Sequence, residues 1–405
     1  MTLNRQSSSA RNSFRSLIPR ILPGTVPLLF LVVLTSCTFL DLGDPLEATR
    51  LPSPLPPTLL QSTAEPEPTD DSTETPSVDP NVFVFQDGMV ALVDWNGELL
   101  SRWDADGLNP ENSVWYQVVG DSLYYLHEKS AKIYLTRAGS VVSLEFPGEE
   151  PINGFVVSEN GSRIAWSVHQ MGRNELWIAN TNGLGRIRIL DEAPPGSSMN
   201  ELVLKPVQWI DNADLVYSWQ YLEMGEEIWP DVFGSYYIYS PANDQITTAA
   251  ALPESPAAPC WRGLTADALF LAGICGSDSQ IEQLKVVEVN GDVEEWIPVV
   301  PGQNYAGEVA FSAVQRQIAY AVVDSILEDQ ASQVVLRSFP GDIPAVLKTF
   351  NGELVQRISW VDETRMLVEV EKEPQPYVLV LNVQGEQRIL TEGWLLGWTL
   401  PAVEE

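Results

Sequence analysis

Cysteine and histidine, two residue types that often do chemistry, are rare in this sequence. There are three cysteines, Cys37, Cys260 and Cys275, and two histidines, His127 and His169. Each histidine stands alone in a strand-like or loop-like context, so we interpret both as structural or surface residues. A metal centre needs several nitrogen, sulfur or oxygen ligands in one place. We therefore predict no metal site built from the histidines and cysteines, and no cofactor.

The short motifs of several enzyme classes are missing. The sequence contains no G-x-S-x-G nucleophile elbow, no P-loop and no G-x-G-x-x-G between a strand and a helix. Carboxylates are abundant, with 55 Asp and Glu residues, and a pair of them could act as acid and base on a sugar. Catalysis therefore stays open, and a carboxylate-based polysaccharide-acting enzyme is the alternative to a non-catalytic role.

Cys37 lies in a segment typical of an export signal. The first 20 residues contain four arginines and no acid, and a short apolar run follows from Val26 to Leu34. The run has about half the ~20 residues that a membrane span needs, so it predicts the hydrophobic part of a secretory signal. The order Leu34-Thr35-Ser36-Cys37 resembles the lipobox of bacterial lipoproteins. The resemblance implies a signal peptide at 1–36 and lipid on Cys37, which would hold the protein on the outer side of a bacterial membrane, at the cell surface or in the periplasm.

Residues 37–80 are rich in Pro, Ser, Thr and acids and poor in apolar residues. Such a composition predicts a disordered tether. The formal charge of the chain is −32. Without the four arginines of the signal, 19 basic residues remain against 55 acidic ones, or −36. This charge argues against nucleic acid as a partner, and it leaves cations such as calcium and basic proteins open.

The exported context also bears on the other two cysteines. Cysteine pairs in oxidising compartments often form disulfides. Cys260 and Cys275 flank a segment that we interpret as two antiparallel strands around a turn near Ala266. We therefore predict a Cys260–Cys275 disulfide within one structural unit, with two separate buried thiols as the alternative.

From residue 81 onward, short runs rich in Val, Ile, Leu, Tyr and Trp alternate with Gly, Asn and Asp turns, which indicates an all-β fold. One aromatic residue recurs before a turn at spacings of 38 to 54 residues. The period is typical of a β-propeller with four strands per blade, and each aromatic is expected near the hub. A β-sandwich is the alternative. The recurring residues are Trp115, Phe155, Trp209, Trp261, Phe311, Trp360 and Trp398.

The stretch SENGSRIAWSV, followed by ELWIANTNGLGRIRIL, resembles the repeat of TolB-like β-propellers. In that family a Ser-Pro-Asp-Gly turn joins two strands, and an Asp/Asn-Gly turn joins the next two. Here Ser158, Asn160 and Gly161 occupy the first turn, and Asn182 and Gly183 the second. The resemblance implies a propeller over 81–405. It is specific in one blade and assigns no functional residue.

Seven blades are predicted, with six or eight as alternatives. One blade combines about three strands from the N-terminal end of the domain with one strand from its C-terminal end, which closes the ring and removes free strand edges. The other six blades are predicted at 113–146, 155–190, 206–249, 259–297, 307–349 and 356–390.

The long connections predict a binding face. The segments 219–234 and 324–332 join second to third strands, and 191–206 and 251–259 lead to the next blades, so all four belong on one side of the ring. Long loops on a rigid scaffold commonly carry function. The 219–234 segment combines aromatics and acids that suit a sugar, a cation or a basic protein; the alternative is a small satellite core. Its candidate residues are Trp219, Tyr221, Glu223, Glu226, Glu227, Trp229, Asp231 and Phe233.

Together these features favour a lipid-anchored, extracytoplasmic propeller that acts as a non-catalytic binding or scaffolding protein. Its ligand, protein or glycan, is not specified by the sequence. Two alternatives stay open: the polysaccharide-acting enzyme, and an envelope-assembly factor that docks another protein.

Overall fold

The structure is a computed structural model of the 405-residue chain. It describes residues 79–401 except 111–114, 138–139, 145–151, 171, 194–201, 222–235, 251–260, 277–281, 289–293, 298–304, 313–315, 325–330 and 339–342. The predicted signal peptide, Cys37 and almost all of the predicted tether lie outside the described residues.

The described part of the chain forms 28 strands in seven antiparallel sheets of four strands each. We call the sheets blades. Blade 1 comprises β4 (Tyr116–Val119), β5 (Ser122–Leu126), β6 (Ile133–Arg137) and β7 (Ser140–Ser143). Blade 2 comprises β8 (Ile152–Val157), β9 (Arg163–Gln170), β10 (Arg173–Asn180) and β11 (Ile187–Glu192). Blade 3 comprises β12 (Leu202–Ile210), β13 (Asp214–Tyr221), β14 (Tyr236–Ser240) and β15 (Gln245–Ala250).

The remaining blades follow the same order. Blade 4 comprises β16 (Trp261–Leu264), β17 (Phe270–Gly276), β18 (Glu282–Glu288) and β19 (Glu294–Ile297). Blade 5 comprises β20 (Tyr305–Phe311), β21 (Gln317–Val323), β22 (Ala331–Ser338) and β23 (Ala345–Asn351). Blade 6 comprises β24 (Leu354–Trp360), β25 (Arg365–Glu371), β26 (Tyr377–Asn382) and β27 (Gln387–Glu392). Blade 7 comprises β28 (Trp394–Thr399), β1 (Asn81–Gln86), β2 (Met89–Val93) and β3 (Leu99–Asp104), in that order.

The seven-bladed all-β propeller predicted from the sequence is confirmed, and so is the shared blade. β28 pairs with β1, so that Trp398 lies opposite Val82 and Asn81 opposite Thr399. The chain therefore closes its ring with its last strand. Seven separate four-stranded sheets exclude the two-sheet sandwich that was the alternative.

The hydrophobic core lies between the blades. Among the described residues, seven buried clusters form, one at each junction of neighbouring blades. Because both faces of a blade are covered, its middle strands are apolar throughout: in β21, Ile318 to Val323 are all buried. This is why the middle strands show no alternation of apolar and polar residues.

The first strand of each blade is the inner strand, and inner strands of successive blades contact each other. The Gln117 amide of β4 accepts from the Val157 N–H at 2.7 Å and donates to the Val157 carbonyl at 2.9 Å. Gln208 of β12 reaches the Thr265 carbonyl, just beyond β16, at 2.9 Å. These side chains thus form hydrogen bonds with backbone groups at the next inner strand. An inner strand has no strand partner on its axial side, so such backbone groups would otherwise be unpaired at an open sheet edge.

The recurring aromatics contribute to these contacts, although they do not all occupy one position. Four of them pair with the second residue of the following strand: Trp209, Phe311, Trp360 and Trp398. The equivalent positions in blades 1, 2 and 4 hold Val118, Val157 and Leu264, and the aromatics there lie two or three residues earlier. The three tryptophans of the first set donate their indole N–H groups to the preceding inner strand, at the Val156 carbonyl (3.2 Å), the Ala310 carbonyl (3.0 Å) and the Ser359 hydroxyl (3.2 Å).

Candidate functional site

The loops divide the ring into two faces. On one face of the ring, the first strand of each blade ends and the second begins, and the third ends and the fourth begins. We call this the short-turn face. The strand ends on either side of 222–235, 324–330, 193–201 and 251–260 lie on the other face, which we call the long-loop face, and these are the strands that the sequence predicted to be joined there. Because β28 ends and β1 begins at the turn between the first and second strands of blade 7, both chain ends leave the ring on the short-turn face.

The predicted binding residues are only partly described. Glu223 to Phe233 lie outside the described residues, as does the side chain of Tyr221. Trp219 is the exception, and it does not belong to an exposed loop. It lies in β13, is 8% exposed and packs in the cluster between blades 2 and 3. The assignment of Trp219 to an exposed aromatic face was therefore wrong, because β13 continues two residues past the expected start of the loop.

A different set of residues meets near the axis of the ring. Trp115 of blade 1 lies against the backbone of blade 2: a Cβ atom at Gly154 would be 3.0 Å from its ring. The same ring also meets Lys205 of blade 3, whose Nζ is 4.8 Å from the ring centroid. Blades 1 and 3 are not neighbours. Their contact therefore passes over the inner strand of blade 2, close to the axis.

Tyr116, the residue after Trp115, also contacts a cation from a blade that is not a neighbour of its own. The guanidinium of Arg357, in blade 6, lies 5.0 Å from the centroid of the Tyr116 ring, in blade 1. It also donates from Nη1 to the Leu395 carbonyl of the intervening blade 7 at 3.0 Å. We call Trp115, Tyr116, Lys205 and Arg357 the axial cluster. All four are half-buried, and Trp115 and Tyr116 lie at the start of β4, towards the long-loop face.

The sequence analysis did not identify the axial cluster, although a signal was present. Lys205 lies four residues before Trp209 and Arg357 three residues before Trp360 in the repeats LKPVQW and QRISW. Trp209 and Trp360 occupy equivalent positions in their blades. A cation at nearly the same depth in two inner strands is thus visible once the repeats are aligned on the tryptophan.

Arg357 lies opposite a buried carboxylate of the next strand in its blade. Glu369 lies opposite Arg357 in the β24–β25 pair, is 3% exposed and accepts from the Leu395 N–H at 2.6 Å. Burial raises its pKa to about 7, an effect partly offset by Arg357 and the Leu395 N–H, while Glu371 raises it further. Glu369 and Arg357 thus hold both backbone groups of Leu395, in the strand that closes the ring.

The raised pKa predicts a pH-dependent stability. Between the ordinary value of 4.5 and about 7, the folded chain binds more protons at Glu369 than the unfolded chain does. The free energy of unfolding is therefore expected to decrease as the pH rises through this window, by on the order of 2–3 kcal/mol. Urea denaturation at pH 5 and pH 8 would show this decrease in the wild type. In Glu369→Gln the decrease should be much smaller; an unchanged difference between the two pH values would contradict the assignment.

The two histidines take structural positions. His127 is buried, stacks on Tyr134 with a centroid distance of 4.8 Å, and accepts from the N–H groups of Lys129 and Ser130 at 3.2 and 3.3 Å. His169 contacts Asn174, with 3.2 Å between Nδ1 and Oδ1. Over the described ranges, no group of three His, Cys, Asp or Glu side chains could hold a metal ion.

The predicted disulfide stays a prediction. Residues Trp261–Leu264 and Phe270–Gly276 do form an antiparallel pair, as expected for the segment between the cysteines. Cys260 and the side chain of Cys275 lie outside the described residues.

In the part of the chain that the structure describes, no helix is long and apolar enough to cross a bilayer.

Comparison with known proteins was informative for the fold. No family model matches the sequence, and no curated protein matches it. Among solved structures, a TolB protein of Agrobacterium tumefaciens is 14% identical, with a TM-score of 0.42, over 68% of this chain and 90% of that one. TolB of Acinetobacter baumannii is 10% identical, with a TM-score of 0.42, over 70% of this chain and 64% of that one.

A puromycin-hydrolysing peptidase of Mycobacterium tuberculosis is also similar. It is 12% identical, with a TM-score of 0.53, and the match covers 80% of this chain and 55% of the peptidase. The chain therefore spans about half the length of that enzyme. At this identity the likeness concerns architecture alone. The chain is a seven-bladed β-propeller, and its architecture is similar to that of the matched part of the peptidase.

Proposed function

We propose that this protein is a lipid-anchored, extracytoplasmic propeller that binds a partner or ligand on its long-loop face and performs no covalent chemistry. The observation that supports this proposal most directly is the axial cluster. In this cluster Lys205 of blade 3 lies over the Trp115 ring and Arg357 of blade 6 lies over the Tyr116 ring, so inner strands of blades that are not neighbours contact each other. Cationic and aromatic side chains are groups that commonly recognise ligands through charge and flat apolar surface.

The position of the chain ends supports the anchored arrangement. Residues 79 and 80 lead into β1 on the short-turn face, where Arg365 holds Asp79 at 2.6 Å. With Cys37 in a membrane, the chain would run from the lipid to the short-turn face, and the proposed ligand face is the opposite one.

The anchor is tested by Cys37→Ala in the producing bacterium. We expect this variant to lose acylation and to move from the detergent-extracted membrane fraction to the soluble fraction or the medium, because no lipid then holds it. Metabolic labelling with a fatty acid gives the readout, and Cys275→Ala is the matched control. A Cys37→Ala protein that is still acylated would refute the lipobox interpretation.

The two alternatives remain distinct hypotheses. A polysaccharide-acting enzyme at the axis would need a pair of carboxyl groups there. The seven inner strands contain one, Glu308, and its Oε1 accepts from the Ile358 N–H at 3.2 Å. Incubation of the purified chain with cell-wall and plant glycans tests this alternative by released sugar. Capture of a protein from solubilised membranes of the same bacterium would support the envelope-assembly role.

A further inference from the structure

Exposed apolar residues recur at one end of the outermost strands of the ring. Eight large apolar side chains lie within the first three residues of the fourth strand of their blades, and each is between 41% and 61% exposed. They come from six blades; in blade 4 the side chains of the corresponding strand lie outside the described residues. We call these eight the rim belt: Leu99, Leu100, Val141, Val142, Ile187, Ile246, Val346 and Ile389.

The rim belt lies beside the short-turn face. Every fourth strand begins on that face, because the third strand of the blade ends there. Equivalent positions of blades arranged around one axis are at one level, so the belt follows the circumference of the ring. Two further exposed residues lie in the turns just before the fourth strands: Leu184 in blade 2 and Ile343 in blade 5, which is 89% exposed.

The same strands become polar towards the long-loop face. In β3, β11, β23 and β27, the exposed residues that follow the belt are charged or polar, for example Arg102, Glu192 and Glu392. Single apolar residues scattered over a protein surface are ordinary. A change from apolar to polar along the outer strands of four blades instead indicates a boundary between two surroundings.

The chain ends indicate what lies beside this face. Both ends leave the ring on the short-turn face, where Arg365 holds Asp79 at 2.6 Å. The predicted tether, 38–78, leads from there to Cys37, the proposed lipid site. A flexible chain of that length spans about 35 Å on average, so the tether would keep the short-turn face close to the bilayer. A tethered body can bind a surface through contacts that are too weak for a free one.

The charge of the short-turn face sets a condition on the lipid. The turns between first and second strands, which lie nearer the axis than the belt, carry an exposed acid in five blades and an exposed arginine, Arg316, in a sixth. Like charges repel, so an anionic leaflet is disfavoured. Headgroups that pair the phosphate with an ammonium group suit this face better. The five acids are Asp121, Glu159, Asp211, Asp267 and Glu363.

We propose that the rim belt, together with Leu184 and Ile343, is a membrane-contacting surface that enters the interfacial region of a bilayer rich in zwitterionic phospholipid. Contacts spread around a ring at one level can meet a plane together, and a bilayer is the planar partner to which the tether leads. This inference rests on the proposed anchoring. It adds an orientation to it, with the long-loop face directed away from the bilayer.

The test uses the chain from residue 37 onward with Cys37→Ala, so that no acyl chain contributes to binding. The probes are vesicles of phosphatidylcholine and of phosphatidylglycerol at constant ionic strength, and flotation in a density gradient measures the bound fraction. We expect the chain to float with phosphatidylcholine vesicles at about millimolar lipid. Binding to phosphatidylglycerol should be weaker by about threefold or more, because both surfaces are then negative.

The variant removes apolar side chains from blades 7, 2 and 5 at once: Leu99→Ser, Leu184→Ser and Ile343→Ser. We expect the partition coefficient for phosphatidylcholine to fall about tenfold or more, since interfacial binding scales with buried apolar area. The matched control is Met89→Ser, which removes an exposed apolar side chain at the long-loop end of blade 7 and should change nothing. Circular dichroism melting checks folding, and Ile343→Ser alone, expected to weaken binding about threefold, replaces the triple variant if that fails to fold.

Three results would overturn the membrane contact: no flotation of the parent chain with phosphatidylcholine, equal partition coefficients for the folded belt variant and the parent chain, or an equal loss in Met89→Ser. Self-association that depends on the belt, measured by analytical ultracentrifugation without vesicle binding, would assign the belt to a second copy of the chain. Stronger binding to phosphatidylglycerol would overturn the headgroup preference.

The proposed anchor is judged separately, because the chain used for flotation carries no acyl group. Fatty-acid labelling of Cys37 together with no flotation would keep the anchor and remove the membrane contact. Flotation together with no labelling would keep the contact and remove the anchor.

Discussion

Deletion of residues 394–405 is expected to prevent the chain from folding to a soluble propeller. The deletion removes β28, the inner strand of blade 7, and leaves β1 as an open sheet edge. It also removes Leu395 and Leu396, which are 0% and 1% exposed and pack in the clusters on the two sides of blade 7. Two fully buried leucines contribute about 1.5–3 kcal/mol each, a large part of a typical stability of about 5–15 kcal/mol.

Further contacts are lost in the same deletion. Arg357 and Glu369 lose their partners at Leu395, which leaves a buried carboxylate without a hydrogen bond, and Ser359 loses the Trp398 indole. We expect most of the truncated chain in the insoluble fraction, and no cooperative thermal transition in any soluble remainder. Thermal melting followed by circular dichroism gives the readout. Deletion of 402–405 alone is the control, and a 394–405 deletion that melts like the full chain would show that the ends do not close the ring.

Trp219→Ala is expected to lower the free energy of unfolding by about 3–5 kcal/mol, the usual cost of removing a buried tryptophan. Trp219 is 8% exposed and belongs to the cluster that joins blades 2 and 3, with Leu204 and Leu176 among its members. Its removal leaves a cavity that the rigid strands on both sides cannot fill. Denaturation in urea measures the change.

Trp229→Ala provides the comparison, since it belongs to the predicted loop and lies outside the described residues. We expect it to leave the unfolding free energy within about 0.5 kcal/mol of the wild type, as is usual for exposed substitutions. A small effect for Trp219→Ala would return Trp219 to the binding face. Large and equal effects for both variants would favour the satellite core that was the alternative interpretation of the loop.

The recurring aromatics predicted the number of blades but not their own exact positions in the inner strands. Counting one aromatic per unit predicted the correct number of blades and the shared closing blade. It did not predict that Trp115, Phe155 and Trp261 lie two or three residues before the position of the other four. Bulges in the inner strands, such as the one at Glu308, shift the register by one residue, and a bulge leaves little trace in the composition of a short strand.

Trp219 shows a second kind of limit. Its neighbourhood, WQYLEMGEEIWPDVFG, contains aromatics and acids in close succession and no clear end of a strand. β13 continues to Tyr221, and the packing of blade 3 against blade 2 determines that Trp219 is in the core. Only the neighbouring blade decides this, because the side chain alone suits either a core or a loop.

The sequence by itself determined the all-β class, the seven blades and the joining of the chain ends. These properties follow from short-range patterns, namely apolar strands, Asn-Gly turns and a recurring aromatic, which hold whatever the distant parts of the chain do. The tertiary structure alone decided the axial cluster and the raised pKa of Glu369. Lys205 contacts Trp115 and Arg357 contacts Tyr116, although these residues are far apart in sequence, because closure of the ring brings blades 1, 3 and 6 to one axis. The pKa of Glu369 depends on the removal of water by the strands packed around it, and no local pattern records that burial.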